Sequence, residues 1–505
     1  MPANTLTSAI IGLDAYRVDV ECDISPGLPA FLVVGLPDTA VQEARERVRS
    51  ALKHSDLPFP RTKITINLAP ADLRKGGTHF DVAIAMAVLM AHGDIPAPPP
   101  EGRLFLGELA LDGRLRPVPG TLSACLLAKQ LGIREVIIPM ENAPEALLVQ
   151  NLAIHPAATL REVVDHVTGK KTIPPATPEA FPNKTIARTY PDMAAVRGQE
   201  QAKRALEVAA AGGHNILLQG PPGSGKTLLA RAFPGILPEM THDEALDVTR
   251  VHSVAGLLPR DGFVSERPFR APHHTASGVA LVGGGSIPKP GEISLAHRGV
   301  LFMDELPEFP RSVLENLRQP LEDGIVTVSR AQGTVMFPAR ITLVAAMNPC
   351  PCGFATDPDR PCMCTPVQTL NYRKRLSGPL LDRIDLMIGV PKVPTDRLID
   401  LEPGEGSADI RRRVQAARDR QRERFRDLGI VTNAELSSDH VRRLIHPTEG
   451  ARSLLARAVD TYRLSARVYF RILKVAQTIA DIDGVNEVDI PHLAEALQYR
   501  QTTEN

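Results

Sequence analysis

Residues Gly220-Pro221-Pro222-Gly223-Ser224-Gly225-Lys226-Thr227 fit the spacing G-x-x-x-x-G-K-[ST], a loop whose backbone N–H groups converge on phosphate. Lys226 would add a point charge to the outer phosphates of ATP, and the Thr227 hydroxyl could hold a Mg²⁺ ion. A second group closes an apolar run, where Gly299-Val300-Leu301-Phe302-Met303 ends in Asp304 and Glu305. Beside a phosphate loop, two carboxylates at a strand end suit metal coordination by Asp304 and water activation by Glu305. Asn348 ends another apolar run, 341–347, where an amide could orient that water or sense the terminal phosphate. Arg383 offers the cation that a transferring phosphoryl group calls for, with a surface ion pair as the competing reading. Four of the six cysteines, Cys350, Cys352, Cys362 and Cys364, form two Cys-x-Cys pairs, enough thiolates for a tetrahedral structural zinc site. Redox pairing and a plain turn are the alternatives.

A cradle of N–H groups needs a strand to fix its entry and a helix N-terminus to face the anion. Residues 216–218 are the apolar strand before the loop, and 228–233 begin the helix after it. Ala202, Ala205, Leu206, Val208 and Ala209 have helical spacing, so a helix over 192–212 is expected to feed that strand. Residues 325–329 and 334–337 flank Arg330-Ala331-Gln332-Gly333, the pattern of a β-hairpin with a basic turn. The stretch 265–291 holds Arg267, Arg270, His273, His274 and Lys289 with a glycine run, and is too polar for core. It reads as a projecting loop. Its adjacent histidines are poor metal ligands, since sequence neighbours seldom chelate one ion. Residues 408–427 contain eight arginines and read mainly as a solvated helix face, with nucleic-acid contact as the alternative. Helical spacing over 454–479 and 488–497 completes a helical C-terminal region.

Together these motifs resemble the AAA+ ATPases of the magnesium-chelatase branch, and among them the ComM-like (YifB-type) bacterial proteins, over the whole chain. The resemblance implies a phosphate loop at Lys226 and Thr227, the second acidic motif at Asp304 and Glu305, and sensor 1 at Asn348. It implies the arginine finger at Arg383 and the sensor 2 arginine at Arg467, with Arg463 and Arg471 one turn either side. It further implies an ATP-hydrolysing ring motor, a hexamer acting on single-stranded or branched DNA. Such a motor would be a branch-migration helicase that promotes integration of transforming DNA. A chelatase-like ATPase that remodels a partner protein is the alternative. The hairpin resembles one that related rings point into a central pore. Arg330, with Arg267, Arg270 and Lys289 of the loop, is therefore expected at the DNA backbone.

The first 170 residues resemble the proteolytic domain of Lon-type proteases. That family carries a serine after its first glycine loop and a lysine early in the helix after its second. Here Thr78 and His79 stand near the first place, and Ser123, Ala124 and Cys125 at the second, so a catalytically silent domain is expected. The expected organisation is multidomain α/β: an α+β Lon-like domain (1–170), a proline-rich linker (171–191), a parallel-sheet AAA+ core (192–393) and a helical lid (394–505).

Composition bounds these readings. A length of 505 residues exceeds what one core fills. The 58 basic residues equal the 58 acidic ones, so DNA contact must come from local patches and not a global field. The longest apolar stretch, 82–91, falls short of the ~20 residues a membrane helix needs. No basic stretch followed by an apolar one opens the chain, so a cytoplasmic protein is expected. Without the lysine, casein incubated with the protein and ATP should stay intact. Cleavage that disappears on changing Thr78 or Ser123 would overturn the silent reading.

Overall fold

The computed structural model describes residues 3–96, 102–180, 190–259, 262–285, 288–330, 333–393 and 404–500. In the N-terminal domain the alternation at 64–68 becomes a real strand, whose burial alternates residue by residue. Seven strands form its sheet: β1 (Ala3–Ile11), β2 (Asp14–Ser25), β3 (Ala30–Val34), β4 (Lys63–Ala69), β5 (Arg103–Phe105), β6 (Glu135–Pro139) and β7 (Ala153–Ala157), in the order β3-β4-β2-β1-β5-β6-β7. Helix α1 (Asp81–His92) is buried along ten consecutive residues, as expected of a helix that is apolar on every face. Helix α2 (Thr121–Gln130) lies on the other side of the domain, and α3 (Leu160–Val167) covers β7.

The central part of the chain is entered through α4 (Glu200–Gly212), which starts eight residues later than the apolar spacing predicts. The side chain of Asp192 instead accepts the N–H of Ala194 at 2.8 Å and that of Ser407 at 3.0 Å, while Gln199 adopts a left-handed conformation. The chain is pinned to the C-terminal region before a helix can begin. The central sheet contains β8 (Ile216–Gln219), β9 (Phe269–Arg270), β10 (Val300–Met303), β13 (Thr342–Met347) and β14 (Leu386–Gly389), all parallel, in the order β9-β10-β13-β8-β14. Helices α5 (Lys226–Ala232) and α6 (His242–Ala255) follow β8, and β11 (Ile325–Arg330) pairs with β12 (Gly333–Pro338) as the expected hairpin.

The C-terminal helices are α8 (Ser407–Arg424), α9 (Glu449–Tyr462), α10 (Ala466–Asp483) and α11 (Ile490–Gln498), preceded in the chain by α7 (Pro366–Arg373) of the motor. They do not hinge freely over the motor. Val414, Ala417, Val475 and Ile479 share one apolar cluster with Leu206, Ala209, Ile216 and Leu218. Some arginines of α8 fasten it to its neighbours, while others, such as Arg412, stay on an exposed face. Arg418 donates to the carbonyls of Ala210 and Ala211, Arg411 to Gly235, and Arg424 pairs with the buried Asp481. A helix that ends an apolar element leaves carbonyls without partners, and these guanidinium groups satisfy them.

The N-terminal domain docks on α6. Ser253 donates to Glu145 at 2.6 Å and accepts the Gly120 N–H, and Asn142 donates to the other oxygen of Glu145. Between the motor and the lid lies a charged seam with a cavity of about 220 Å³, lined by Glu244, Arg267, Arg298, Asp385, Arg418 and Lys474 among others. Among the described residues no helix is long and apolar enough to cross a membrane.

Glu244 in that seam has a testable signature. Burial alone would raise its carboxyl, but Arg267 and the Thr241 N–H outweigh burial and hold it at about 2, against 4.5 in an unfolded chain. Its stabilisation is complete above pH 4.5 and fades as pH falls toward 2. Glu244→Gln should cost on the order of 3 kcal/mol at neutral pH, since it strands a buried arginine. In thermal melts the gap between wild type and variant should close across that acid window. A gap that stays constant would show that Arg267 does not hold the carboxylate.

Candidate active site

The phosphate loop leaves β8 between two neighbours. The Gly220 N–H donates to Met347 at 3.2 Å, and a Cβ at Gly220 would lie 2.1 Å from the Val390 carbonyl oxygen. Only glycine fits there. Gly223 and Gly225 both take positive φ, which turns the loop into the N-terminus of α5. The Lys226 ammonium is held by the carbonyls of Gly220 at 2.7 Å and Pro221 at 2.8 Å, with the Asn348 side-chain oxygen at 3.3 Å. Burial lowers its pKa, opposed by Asp304 and Glu305.

The Thr227 hydroxyl donates to Asp304 at 2.9 Å, so the hydroxyl and the carboxylate converge on one point. Hard oxygen ligands of this kind suit Mg²⁺, which binds through one or two protein oxygens and substrate phosphates. Glu305 follows in a left-handed conformation (φ 50°), its N–H donating to Asp304 at 3.0 Å and its carboxylate half exposed. Gly220 to Thr227, Asp304, Glu305 and Asn348 therefore meet at the C-terminal ends of β8, β10 and β13.

The two arginines are elsewhere. Asp385 and Leu386 pair with Asn215 at the start of β8, five residues before Gly220. At a rise of ~3.3 Å per residue this separates the ends by roughly 16 Å. Arg383 lies at the N-terminal edge, nearly buried, donating to Pro379 at 2.7 Å and pairing with Glu322. Arg467 contacts the same Glu322 at 3.4 Å, while Arg471 is locked on Asp385 at 2.7 Å and Arg463 ends α9 in a left-handed turn. Arg383 and Arg467 are thus brought together, but away from the phosphate loop of their own chain.

The four cysteines do cluster. Cys350, Cys352 and Cys362 sulfurs lie 3.4–3.6 Å apart, and the Cys352 N–H points to the Cys364 sulfur at 3.4 Å. Thiolates around zinc at ~2.3 Å would stand about 3.8 Å apart. The N–H groups of Phe354 and Met363 lower the Cys352 thiol, while its neighbours Cys362 and Cys364 are raised. The knuckle abuts the phosphate loop, since a Cβ at Gly353 would lie 2.7 Å from the Pro222 ring. A second close group, Glu135, His155 and His166, lies between β6, β7 and α3. Its chemistry argues against a metal. His166 Nδ1 accepts the Ile173 N–H at 3.0 Å, which leaves the proton on Nε2, and Arg103 already occupies Glu135.

Of the expected DNA contacts, Arg267 is corrected. Its guanidinium is nearly buried, pairs with Glu244 and donates to the carbonyls of Pro238, Glu239 and Arg298, so no donor remains for phosphate. Arg270 is committed too, through a two-pronged pair with Glu292 at 2.6 Å that fastens both ends of the 265–291 loop. Lys289 is exposed on the returning strand. The hairpin forms, but the Arg330 side chain and residues 331–332 lie outside the described residues. The sequence reading also missed His274. Its Nδ1 stands 3.9 Å from the Glu305 carboxylate, and only the pairing of β9 with β10 reveals it.

Comparison with known proteins agrees with this geometry. The family "Magnesium chelatase, subunit ChlI" matches residues 192–398, "Subunit ChlI of Mg-chelatase" matches 20–142, and "Magnesium chelatase, subunit ChlI C-terminal" matches 404–500. The chain is 47% identical over 496 residues to the competence protein ComM of Haemophilus influenzae, covering 97% of this chain and 96% of that one. It is 45% identical to YifB of Escherichia coli, covering 98% and 96%. Lon protease 2 of Thermus thermophilus is 30% identical over 158 residues, 29% of this chain and 19% of that protease.

Lys226→Ala should abolish tight ATP binding in equilibrium binding with a labelled nucleotide. Glu305→Gln should bind ATP normally yet hydrolyse it about 10²-fold more slowly or worse, the usual cost of losing a general base. Normal turnover by Glu305→Gln would remove Glu305 from that role.

Proposed function

The chain belongs to the ComM/YifB family of magnesium-chelatase-type AAA+ ATPases, and from that premise we propose that it is an ATP-hydrolysing ring motor that moves branched DNA. The observation that carries the ring is the placement of Arg383 and Arg467 at the sheet edge opposite Lys226. An arginine there serves a nucleotide only when a second copy presents its own phosphate loop. Each active site is then shared, and a closed ring, a hexamer, supplies every site with its arginines.

Within one site, Lys226 and the loop N–H groups hold the phosphates. Bound Mg²⁺, held by Thr227 and Asp304, would neutralise charge on the transferring group. Glu305 accepts a proton from the attacking water, Asn348 orients it, and the neighbour's Arg383 and Arg467 balance the developing charge. Cys350, Cys352, Cys362 and Cys364 would hold a structural zinc ion, a clamp behind Pro222 and Asn348.

The DNA reading is supported by the relative named as a competence protein and by the hairpin whose turn sequence carries Arg330. With equal numbers of acidic and basic residues, affinity must come from repetition, six copies of a modest patch around one pore. Transformation, with integration of incoming strands by branch migration, is the use that fits. A chelatase-like action on a partner protein is the competing reading, favoured by the family matches to chelatase subunits.

Hydrolysis measured with single-stranded, duplex and four-way-junction DNA separates these readings. Stimulation by DNA, with binding that weakens at a log–log salt slope of about −0.7 per contacted phosphate on a single strand, supports the motor. DNA-independent turnover and no junction movement would favour the remodelling reading. Arg383→Ala should lower the rate on the order of 10³-fold with ATP binding intact. Mixed rings of Arg383→Ala and Lys226→Ala subunits should regain part of that rate. Mixed rings without recovery would refute the shared site. Protein made with ample zinc should carry about one Zn²⁺ per chain, and metal analysis finding none would remove the clamp.

A further inference from the structure

Asn215 sits one residue ahead of β8, nearly buried, at the edge of the sheet away from the phosphate loop. A buried amide must find partners for its donors and its acceptor. Asn215 finds them on two neighbouring strands. Its backbone N–H donates to the Asp385 carboxylate at 3.1 Å, and its carbonyl accepts the N–H groups of Asp385 and Leu386, both at 3.0 Å. Its side-chain nitrogen donates to the Arg383 carbonyl at 3.0 Å, and its side-chain oxygen accepts the Leu343 N–H at 2.9 Å. A carbonyl demands a donor and an N–H an acceptor, so these two partners fix which way the amide points.

The strand ladder alone does not hold Arg383. In-register pairing between β8 and β14 begins at Ile216 and Leu386, three residues after the arginine. Ahead of that point the chain follows the helical turn Gly378–Leu381, and the Arg383 N–H donates to Leu380 of that turn at 2.9 Å. The guanidinium donates to Pro379 of the same turn, so it moves with the turn. Its other partner, Glu322, is half exposed and shared with Arg467. The Arg383 main chain meets the sheet through the Asn215 amide.

A second tie brings in the C-terminal helices. Asp385 accepts from Arg471 of α10 at 2.7 Å, and Arg471 lies one turn beyond Arg467 on the same helix face. Both Arg383 and Arg467 are therefore keyed to the entry of β8, one through Asn215 and the other through Asp385. The far end of that four-residue strand carries the phosphate loop. One short strand, paired on both sides, joins the loop that holds a chain's own nucleotide to the arginines it offers to the next chain.

We propose that Asn215 is a positioning residue for Arg383, holding the arginine where the neighbouring subunit's nucleotide meets it. The proposal rests on the shared-site reading. Asn215 touches neither nucleotide nor Mg²⁺. Its loss frees the turn that carries Arg383, so hydrolysis falls in the neighbour, while the chain's own phosphate loop still binds ATP.

The test uses full-length protein, with turnover, ATP affinity and a thermal melt for each variant. Asn215→Ala should lower kcat between about tenfold and a hundredfold, the cost of misplacing a reacting group by about 1 Å. KM and ATP affinity should stay level. Asn215→Thr keeps a polar group for Leu343 but is too short to reach the Arg383 carbonyl as well. It should show the same split, and it serves where the alanine variant fails to fold. In an Arg383→Ala background Asn215→Ala should cost nothing further, because the group it positions is gone. Mixed rings give the sharpest reading. Asn215→Ala subunits should regain turnover with Lys226→Ala subunits, which bring sound arginines, and gain nothing with Arg383→Ala subunits, which bring none. Equal recovery with both, ATP affinity falling in step with kcat, or a full additional loss in the Arg383→Ala background would make Asn215 a general support of β8 and overturn the proposal. A slow Arg383→Ala beside a normal Asn215→Ala would sink the proposal alone. Normal turnover by Arg383→Ala would sink the shared site and the proposal with it.

Discussion

The parallel register of the central sheet is the constraint from which the chemistry follows. Ile216 to Gln219 run level with Val344 to Met347 on one side and Leu386 to Gly389 on the other. Parallel strands put all their C-terminal ends on one edge, so Gly220, Asn348 and, through β10, Asp304 and Glu305 arrive together. The same rule puts whatever precedes β14 on the opposite edge. Arg383 precedes it. One geometric fact thus gathers Gly220, Asp304, Glu305 and Asn348 at one edge of the sheet and puts Arg383 at the other.

The C-terminal helices extend that logic through desolvated charge. Arg418 is buried and its pKa is lowered to about 9, by burial first and then by repulsion from Arg267. A cation in that position persists because its donors meet the carbonyls of Ala210 and Ala211 at the end of α4. Since α4 feeds the phosphate-loop strand, the arginine helix is braced directly against the element that carries the loop. Glu244 and Arg267 close the same seam from the α6 side. The sheet domain and the C-terminal helices therefore share one apolar cluster and one polar seam.

Three outlying parts are tied together by close contacts, and one of them, the knuckle, abuts the phosphate loop. The knuckle reaches Pro222 through Gly353, and the hairpin rests on the N-terminal domain where a Cβ at Gly12 would strike Val335. The N-terminal domain also grips α6 through Glu145 and Ser253. Burial raises the Glu145 carboxyl, and three side-chain partners and the Leu122 N–H work against that rise. A domain lacking the expected dyad lysine is thus tied firmly to the motor, which gives it a structural stake in the position of the hairpin.

Much of this was legible in the residues themselves. The phosphate loop, the acidic strand end, the hairpin and the four cysteines are local patterns: glycine spacing, alternation and ligand type demand a conformation from residues close in sequence. Long-range partnership is not a local property. Arg267 looked like a phosphate contact until the fold buried it against Glu244, and Arg418 looked like part of a solvated face until α8 packed on α4. His274 and Glu305 lie thirty-one residues apart, and only the fold brings them within 3.9 Å. Charge type is written in the chain, but whether a charge faces water, a carbonyl or a carboxylate depends on which elements the fold lays beside it, and that was decided by tertiary packing alone.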